Sequence, residues 1–328
     1  MSEEITSSGP SNVHDPDTGR DFVVGGTSTP LDEGERLEQL SWYFSQHYPA
    51  PDPTPPWAGG TTGREIADNW AAKLPDRLTH TSMVMLGSAC DHTMPGVAYT
   101  SGHNLHITGT DSLTVITPDG VEQSGTWIVS VHGGGFWRGG GAALEFSHRP
   151  EAAALGVLAG ATVVDVDYPL APEATLAEQA EHVAAAIDHA KDKGASRIVG
   201  YGVSAGAGLL AGLADRFDAL VMARPQLTLD SVPDEIRGGF TTVDTHLWPE
   251  KVLFQTGNRD IRVTVPLEHV LIGRVATYTA QHCIVEPRVA RQRLVDAASF
   301  IAGHVIDDPR AKVEQQVAAK QQQENTGR

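Results

Sequence analysis

The 328 residues of this chain are enough for one large catalytic domain with a sizeable core, or for two small ones. Hydrophobic residues make up 40% and charged residues 20% of the sequence, which is ordinary for a soluble globular protein. The formal net charge of −17 repels phosphate groups, so it argues against nucleic acid and anionic membranes as partners.

The amino terminus shows neither the basic nor the apolar segment of a secretory signal, and no stretch approaches the roughly 18 apolar residues of a membrane helix. We therefore expect a cytoplasmic protein without a membrane span. The two cysteines, Cys90 and Cys283, are too few for a disulfide scaffold. The oligomeric state stays open, and a homodimer is compatible with the sequence.

The amino-terminal part is predicted to contain four segments of different structure. Residues 1–30 are rich in Ser, Gly, Thr and Asp and are predicted to be disordered. Apolar residues at helical spacing predict an amphipathic helix over 31–48. The prolines of 49–57 predict an extended connector. A second helix is predicted over 64–75, with Pro75 as its end.

Short apolar strands and helices alternate through the rest of the chain. Strands are predicted at 126–132, 161–169, 197–204, 218–225, 251–260 and 274–282, and the clearest helices at 176–193 and 289–304. This alternation predicts the α/β class, with a parallel sheet covered by helices on both faces. The predicted divisions are a disordered segment (1–30), a helical region (31–80), a catalytic α/β domain (81–306) and a polar tail (307–328).

The most specific motif is GVSAG at residues 202–206, which follows an apolar strand and opens a helical run. A serine at a sharp strand-to-helix turn is held above the carboxyl edge of the sheet, and the flanking glycines allow the strand and the helix to approach closely. The helix amino terminus adds free N–H groups and a positive dipole end. We therefore predict Ser204 as a nucleophile.

A second motif, HGGGFW at residues 132–137, follows the predicted strand 126–132. Consecutive glycines can turn their N–H groups toward an oxyanion, which a serine nucleophile generates on attack. Gly133 and Gly134 are predicted to supply two donors and Ala205 a third. Phe136 and Trp137 either line the substrate pocket or pack beneath the loop.

A third motif, DYPLAPE at residues 167–173, lies between these two. In this order, the three motifs resemble the hormone-sensitive-lipase-like esterases, which are α/β-hydrolases. The resemblance covers roughly residues 95–305. It implies an α/β-hydrolase fold with an eight-stranded, mostly parallel sheet and a small amino-terminal helical cap. It also implies a Ser-His-Asp triad and neither a metal nor an organic cofactor. The chain departs from the family pattern at Pro169, where members commonly carry Arg.

A serine hydroxyl needs a base, and in this fold the chain order is serine, then acid, then histidine. Asp260 follows the predicted strand 251–260, so it belongs at the catalytic edge of the sheet and is the predicted acid. Asp230 also follows an apolar run and is the competing acid, and Glu268 is a third candidate.

His282 follows the last predicted strand and precedes the final helix, in the loop where the resemblance places the family histidine. We predict it as the base, held in the useful tautomer by the acid. His269 and His246 are rivals, while His304 comes too late in the chain. His132 shapes the oxyanion loop by the same resemblance and is not the predicted base.

These residues predict a serine carboxylesterase acting on a small-molecule acyl ester through an acyl-enzyme on Ser204. A small cap favours short- to medium-chain acyl groups, by analogy with the family. The same triad could serve an amidase or arylformamidase. A catalytically inactive, ligand-binding homologue is a further alternative, although a serine, an acid and a histidine are all present. The chain has no room for the added propeller or large lid that a peptidase usually needs.

Overall fold

The computed structural model describes residues 11–14, 19, 21–24, 31–87, 90–110, 112–263 and 265–311. The remainder of the predicted amino-terminal segment, and the tail from residue 312 onward, lie outside these residues. The strands are β1 (Ser11–His14), β2 (Asp21–Val24), β3 (Leu105–Gly109), β4 (Leu113–Pro118), β5 (Thr126–Val131), β6 (Thr162–Val166), β7 (Arg197–Val203), β8 (Ala219–Ala223), β9 (Val252–Gly257) and β10 (Arg274–Tyr278).

Eight of the described strands form one sheet in the order β10-β9-β8-β7-β5-β6-β4-β3. The strands from β5 to β10 pair in parallel, while β4 runs antiparallel to both β6 and β3. The predicted mostly parallel, eight-stranded α/β-hydrolase sheet is therefore confirmed. Each of the six parallel strands lies within its predicted range, whereas the β3–β4 hairpin was not predicted because its residues are only partly buried.

The helices are α1 (Glu33–His47), α2 (Arg64–Ala72), α3 (Leu74–Leu86), α4 (Pro95–Thr100), α5 (Gly141–Ala143), α6 (Arg149–Ala159), α7 (Leu176–Asp192), α8 (Ala205–Ala211), α9 (Asp234–Arg237), α10 (Leu267–Val270) and α11 (Pro287–Ala302). Short 3₁₀ turns lie at Pro56–Ala58, Ala214–Arg216 and Thr245–Leu247, and a π-helical turn at Leu144–His148.

The core lies in two layers, one on each face of the sheet. Val129 and Val131 of β5 pack in the layer that holds α7 and α8, whereas Ile128, directly before them, faces the layer that holds α6 and α11. Because successive side chains of a strand point to opposite faces, a parallel strand buried on both sides must be apolar throughout. This requirement explains the short Val- and Ala-rich runs of the sequence.

The amino-terminal helices differ from the predicted ones at Pro75. Helix α1 begins with a capping box between Asp32 and Glu35, close to the predicted start of the first helix. Helix α2 ends at Ala72, but Pro75 does not end helical structure: it is the second residue of α3. The prediction missed α3, because a proline in the first turn needs no hydrogen-bond donor and is therefore tolerated there.

The predicted disorder of residues 1–30 is wrong for the two stretches that the structure describes as strands. β1 and β2 pair antiparallel. Phe22 is buried and stacks on Trp42 of α1 at a ring-centroid distance of 4.5 Å. It joins a small apolar cluster with Leu40 and Met85. A single buried aromatic ring is enough to hold a short hairpin in place. The polar composition of the segment therefore did not indicate this contact.

None of the helices described in this chain is long and apolar enough to cross a membrane.

Candidate active site

Ser204 lies at the turn between β7 and α8, with a φ of 52° and a ψ of −114°. A non-glycine residue rarely adopts this backbone conformation, and such strain is typical of functional turns. The neighbouring glycines are needed for space. A Cβ atom on Gly202 would lie 2.7 Å from the Cα of Ala207, and one on Gly206 would lie 2.2 Å from the carbonyl oxygen of Val131.

His282 connects this serine to a carboxylate. Its Nε2 lies 3.3 Å from Ser204 Oγ, and its Nδ1 lies 2.8 Å from Asp260 Oδ2. Asp260 follows β9 and His282 follows β10, so both stand at the carboxyl edge of the sheet with Ser204. The Nδ1 contact fixes the tautomer that leaves Nε2 free to accept the serine proton.

Burial and charge set the protonation of this pair. Burial by itself raises the pKa of Asp260, but the hydrogen bond from His282, the backbone N–H of Arg262 and nearby positive charge together outweigh it and the pKa is lowered. Asp260 therefore stays ionised. Burial is the main cause that lowers the pKa of His282, and the positive charge of Arg224 lowers it further. The hydrogen bond to Asp260 raises this pKa but does not compensate. The imidazole is thus neutral near pH 7, as a general base must be.

The rival acids lie elsewhere. Asp230 is exposed in the loop before α9, and Glu268 is exposed in α10, 3.7 Å from His269 Nδ1. Neither is among the residues that line the cavity containing Ser204.

The rival histidines are equally remote from the serine. His246 pairs with Asp244 on the surface, and His304 is exposed after α11. His269 packs against Trp248. Within the described chain, the structure brings Asp260 and His282 to Ser204 and leaves the alternatives apart.

The glycine loop at residues 133–135 passes directly over the serine. A Cβ atom on Gly133 would lie 2.9 Å from the carbonyl oxygen of Val203 and 3.2 Å from Ser204 Cβ. Gly134 has a φ of 123°, and a side chain there would overlap the carbonyl group of Arg138. Only glycine therefore allows the backbone to come this close, and the N–H of Ala205 lies at the first position of α8 beside it.

His132 supports this loop through contacts with Gly133 and Tyr168. Its ring is buried, stacks on Tyr168 at 4.1 Å, and places Nδ1 2.7 Å from the carbonyl oxygen of Gly133. The Tyr168 hydroxyl donates to the carbonyl of His132 at 2.9 Å. Burial lowers the pKa of His132 to about 4, so the ring is neutral. The DYPLAPE motif thus braces the loop through its tyrosine.

The two predicted pocket aromatics have different surroundings. Trp137 lines the cavity. Phe136 is fully buried in the core layer of α7 and α8, and it is not among the residues that line the cavity. The prediction that Phe136 lines the pocket is therefore wrong, and the alternative, packing beneath the loop, is what the structure shows. The positive φ of Phe136 (71°) directs its side chain beneath the loop, while its carbonyl accepts hydrogen bonds from Ala171 and Gln179.

The cavity has a volume of about 530 Å³ and contains Ser204, His282 and the glycine loop in its lining. Its other wall comes from the amino-terminal region, with Trp57, Trp70, Leu74 and Leu78 among the contributing side chains. Helices α2 and α3 therefore cover the site. No group of three or more His, Cys, Asp or Glu side chains in the described residues is arranged to hold a metal ion.

Arg64 of α2 bonds the cap, formed by α2 and α3, to the segment that follows the glycine loop. Its guanidinium donates to the carbonyl oxygens of Trp137 and Ala171 and pairs with the carboxylate of Glu173. Sequence reasoning missed this contact. The partners lie more than seventy positions away along the chain, and no local pattern marks Arg64 as different from other helical arginines.

Sequence reasoning also missed a buried polar group that lines the cavity beside the triad, formed by Arg224, Glu151 and Arg293. Arg293 donates to both oxygens of Glu151, at 2.9 and 3.1 Å. Arg224 donates to the carbonyl oxygen of His282 at 2.6 Å. The only local signal was an arginine followed by a proline at the end of an apolar strand.

Comparison with known proteins agrees with this architecture. A family model of the alpha/beta hydrolase fold matches residues 128–249. No curated protein matches the chain.

Among solved structures, a bacterial heroin esterase is similar at 17% identity and a TM-score of 0.56, covering 82% of this chain and 98% of its own. A hormone-sensitive lipase from a metagenome library is similar at 16% identity and a TM-score of 0.54, with coverages of 84% and 99%. A hyperthermophilic esterase from the archaeon Pyrobaculum calidifontis is similar at 18% identity and a TM-score of 0.51, with coverages of 74% and 94%.

The sheet order, the strained serine turn and the family match show that this chain has the α/β-hydrolase fold. A hormone-sensitive lipase is among the structures that share this fold, in agreement with the resemblance predicted from the three motifs.

Proposed function

We propose that this chain is a serine carboxylesterase that hydrolyses short- to medium-chain carboxylic esters through an acyl-enzyme on Ser204. The observation that carries the proposal is the hydrogen-bonded series from Asp260 through His282 to Ser204, in a cavity beside the glycine loop. The esterase activity named for the similar structures supports the same reaction class.

Acylation begins when Ser204 Oγ attacks the ester carbonyl carbon and passes its proton to His282 Nε2. The present separation of 3.3 Å is typical of a resting site, where such contacts shorten on substrate binding. Asp260 stabilises the imidazolium that forms. The tetrahedral intermediate then collapses, the bond to the alcohol oxygen breaks, and His282 Nε2 returns its proton to that oxygen.

Deacylation repeats these steps with water. His282 takes a proton from a water molecule, whose oxygen attacks the acyl carbon, and the bond to Ser204 Oγ breaks as the proton returns to the serine. The carboxylic acid leaves and the residues regain their initial state. The reaction needs only the chain, the ester and water.

The negative charge of each tetrahedral intermediate falls on the former carbonyl oxygen. The N–H groups of Gly133, Gly134 and Ala205 are proposed to bind it. The close approach of Gly133 to Ser204 supports this assignment, because donors must lie within about 3 Å of the developing oxyanion. One such donor contributes roughly 3 kcal/mol of barrier stabilisation.

The proposed chain-length range follows from the cavity. At about 530 Å³ it lies within the range of pockets that enclose a small molecule, roughly 300–1,000 Å³. The cap tryptophans, Trp57 and Trp70, and the loop tryptophan Trp137 limit how far an acyl chain can extend.

Hydrolysis of p-nitrophenyl esters from acetate to laurate, measured for the native chain and for Ser204→Ala, tests this function. We expect activity that is highest for the short and medium chains and lost in the variant. Hydrolysis of N-formyl anilides in preference to every ester would instead identify an arylformamidase. An absence of both activities would overturn the proposal.

A further inference from the structure

Arg224 lies next to the proposed catalytic residues. It follows β8 directly, and the backbone N–H of Ser204 donates to the carbonyl of Ala223, the residue before it. Its φ of 51° is unusual for a residue with a side chain, and such strain is retained where the surroundings require it. The guanidinium lines the same cavity as Ser204 and His282, and it donates to the carbonyl of His282 at 2.6 Å.

This guanidinium has no carboxylate partner among the described residues. The carboxylate of Glu151, whose charge acts on Arg224, is already engaged by Arg293 at 2.9 and 3.1 Å and by the Tyr201 hydroxyl at 2.5 Å. No carboxylate oxygen of the described chain lies within 4 Å of Arg224. Its Nε atom is buried and has no hydrogen-bond partner in that part of the chain.

The carboxylates around Arg224 are held by other groups. Arg224 and Arg293 both lie in the field of Glu151, and Arg224 also lowers the pKa of Asp260, whose carboxylate is hydrogen-bonded to His282. His148 adds no charge, because burial lowers its pKa to about 4 and leaves it neutral. A guanidinium cannot lose its proton in a protein, so Arg224 keeps a positive charge that no carboxylate of the described chain contacts directly. Charges that are largely removed from water normally have such a contact.

Two more arginines extend the positive potential around the cavity. Arg138 lies over the Trp137 ring at 5.1 Å, and Arg262 follows Asp260 in the acid loop. Both line the cavity. Against its four arginines the lining holds three carboxylates, of which Asp76 is exposed on α3. The overall charge of −17 makes this local positive site distinct from the rest of the molecule.

We propose that Arg224 binds a carboxylate group of the substrate, so that the enzyme prefers esters carrying a negative charge near the scissile bond. Examples are hemiesters of dicarboxylic acids, and hydroxybenzoic acids that are acylated on the phenol oxygen and keep a free carboxylate. The inference rests on the proposed esterase function and adds the class of substrate. The planar guanidinium, which lines the cavity, matches a carboxylate in geometry.

Binding of a carboxylate at this position also serves the reaction. Arg224 contacts the backbone of His282 and its charge disfavours the imidazolium. A substrate carboxylate would neutralise that charge while the proton is on His282. The substrate carboxylate thus contributes to binding, and it also offsets the positive charge of Arg224 that disfavours the imidazolium of His282.

Two pairs of esters test the proposal on either side of the scissile bond. Monomethyl glutarate against dimethyl glutarate tests an acyl-side carboxylate, and p-acetoxybenzoate against p-acetoxybenzamide tests an alcohol-side carboxylate. We expect kcat/KM of the native enzyme to favour the anion in at least one pair by about ten- to hundredfold, as expected for one hydrogen bond between ions. In Arg224→Gln this ratio should fall nearly to that of the uncatalysed reactions, and Arg224→Lys should restore part of it.

Arg274→Gln is the matched control, because it removes the same charge from the exposed face of β10, away from the cavity. Its anion-to-neutral ratio should equal that of the native enzyme. A native enzyme without preference for the anion in either pair, or a preference that survives Arg224→Gln, would overturn the proposal. If Arg224→Gln does not fold, as judged by circular dichroism, the native ratio and Arg224→Lys still decide the question.

A binding measurement separates this inference from the esterase function. Calorimetric titration of glutarate and of p-acetoxybenzoate into Ser204→Ala needs no turnover. Binding that is lost in Ser204→Ala/Arg224→Gln, without ester hydrolysis by the native enzyme, would support the anion site and refute the esterase. Ester hydrolysis without Arg224-dependent binding or selectivity would support the esterase and refute the anion site.

Discussion

The carboxylate of Asp68 in α2 accepts a 2.7 Å hydrogen bond from the backbone N–H of Gly139, in the segment that follows the glycine loop. Arg64, one helical turn earlier, donates to the carbonyl of Trp137 in the same segment. The cap is therefore bonded to the segment that directly follows the backbone proposed to hold the oxyanion. Because both contacts are half-buried, the position of α2 and the geometry of the loop depend on each other.

Replacement of Asp68 by Ala should lower both stability and kcat. The variant leaves the half-buried N–H of Gly139 without its acceptor, which costs at most about 1–3 kcal/mol, and it frees the segment next to Gly133. We expect a lower urea midpoint and a kcat for p-nitrophenyl butyrate that falls more than KM changes. Glu65→Ala, on the exposed face of the same helix, should match the native enzyme in both measurements. A stable Asp68→Ala enzyme with native kcat would show that the loop holds its shape without the cap.

The proposed triad predicts unequal losses for its three members. Removing the serine or the histidine of such a triad reduces kcat by about 10⁶-fold, while removing the acid costs about 10⁴-fold. Ser204→Ala and His282→Gln should therefore be the most severe variants and Asp260→Asn a milder one, measured as kcat on p-nitrophenyl butyrate. Asp230→Asn alters the acid that competed with Asp260 in the sequence. Since Asp230 is exposed and outside the cavity lining, native activity is expected, and a loss comparable to that of Asp260→Asn would contradict the assignment.

The pH dependence should follow the pKa of His282. Burial lowers this pKa below the ordinary value of 6.5, so the imidazole loses its proton at a lower pH and kcat/KM should rise with pH through an apparent pKa under 6.5. The measurement is kcat/KM for p-nitrophenyl acetate between about pH 5 and pH 9, corrected with Ser204→Ala for spontaneous hydrolysis. Asp260→Asn should move the midpoint lower still, because the hydrogen bond that favours the imidazolium is weakened. An acidic limb centred above 6.5 would be inconsistent with a buried base.

Gly133→Ala should impair catalysis through a steric effect. The new methyl group would lie 2.9 Å from the Val203 carbonyl oxygen and 3.2 Å from Ser204 Cβ, so the loop or the serine turn must move. A shift of the proposed donor away from the oxyanion lowers kcat by about 10²–10³-fold. Gly63→Ala provides the comparison, because a Cβ atom there meets nothing within 4 Å, and its kcat should be native. Equal kcat values for the two variants would refute a role for the loop at this distance.

Most of the sheet and the principal motifs could be predicted from the sequence, because they are local. The parallel strands β5 to β9 are largely buried on both faces, so each one is an apolar run that ends at the catalytic edge. The glycines around Ser204 and in the 133–135 loop are required by close backbone approach at those positions. Residue spacing, chain order and the family resemblance together led to the proposal of Asp260 and His282 for the positions beside the serine.

Tertiary structure decided what depends on partners far apart in the chain. Three features arise from packing that local composition does not show. They are the burial of Phe22 on Trp42, the helix α3 that carries Pro75 in its first turn, and the position of Phe136 in the core. The unpaired charge of Arg224 is of the same kind. Whether an arginine is neutralised depends on which carboxylates reach it, and only the fold brings Glu151 to Arg293 and leaves Arg224 facing the cavity.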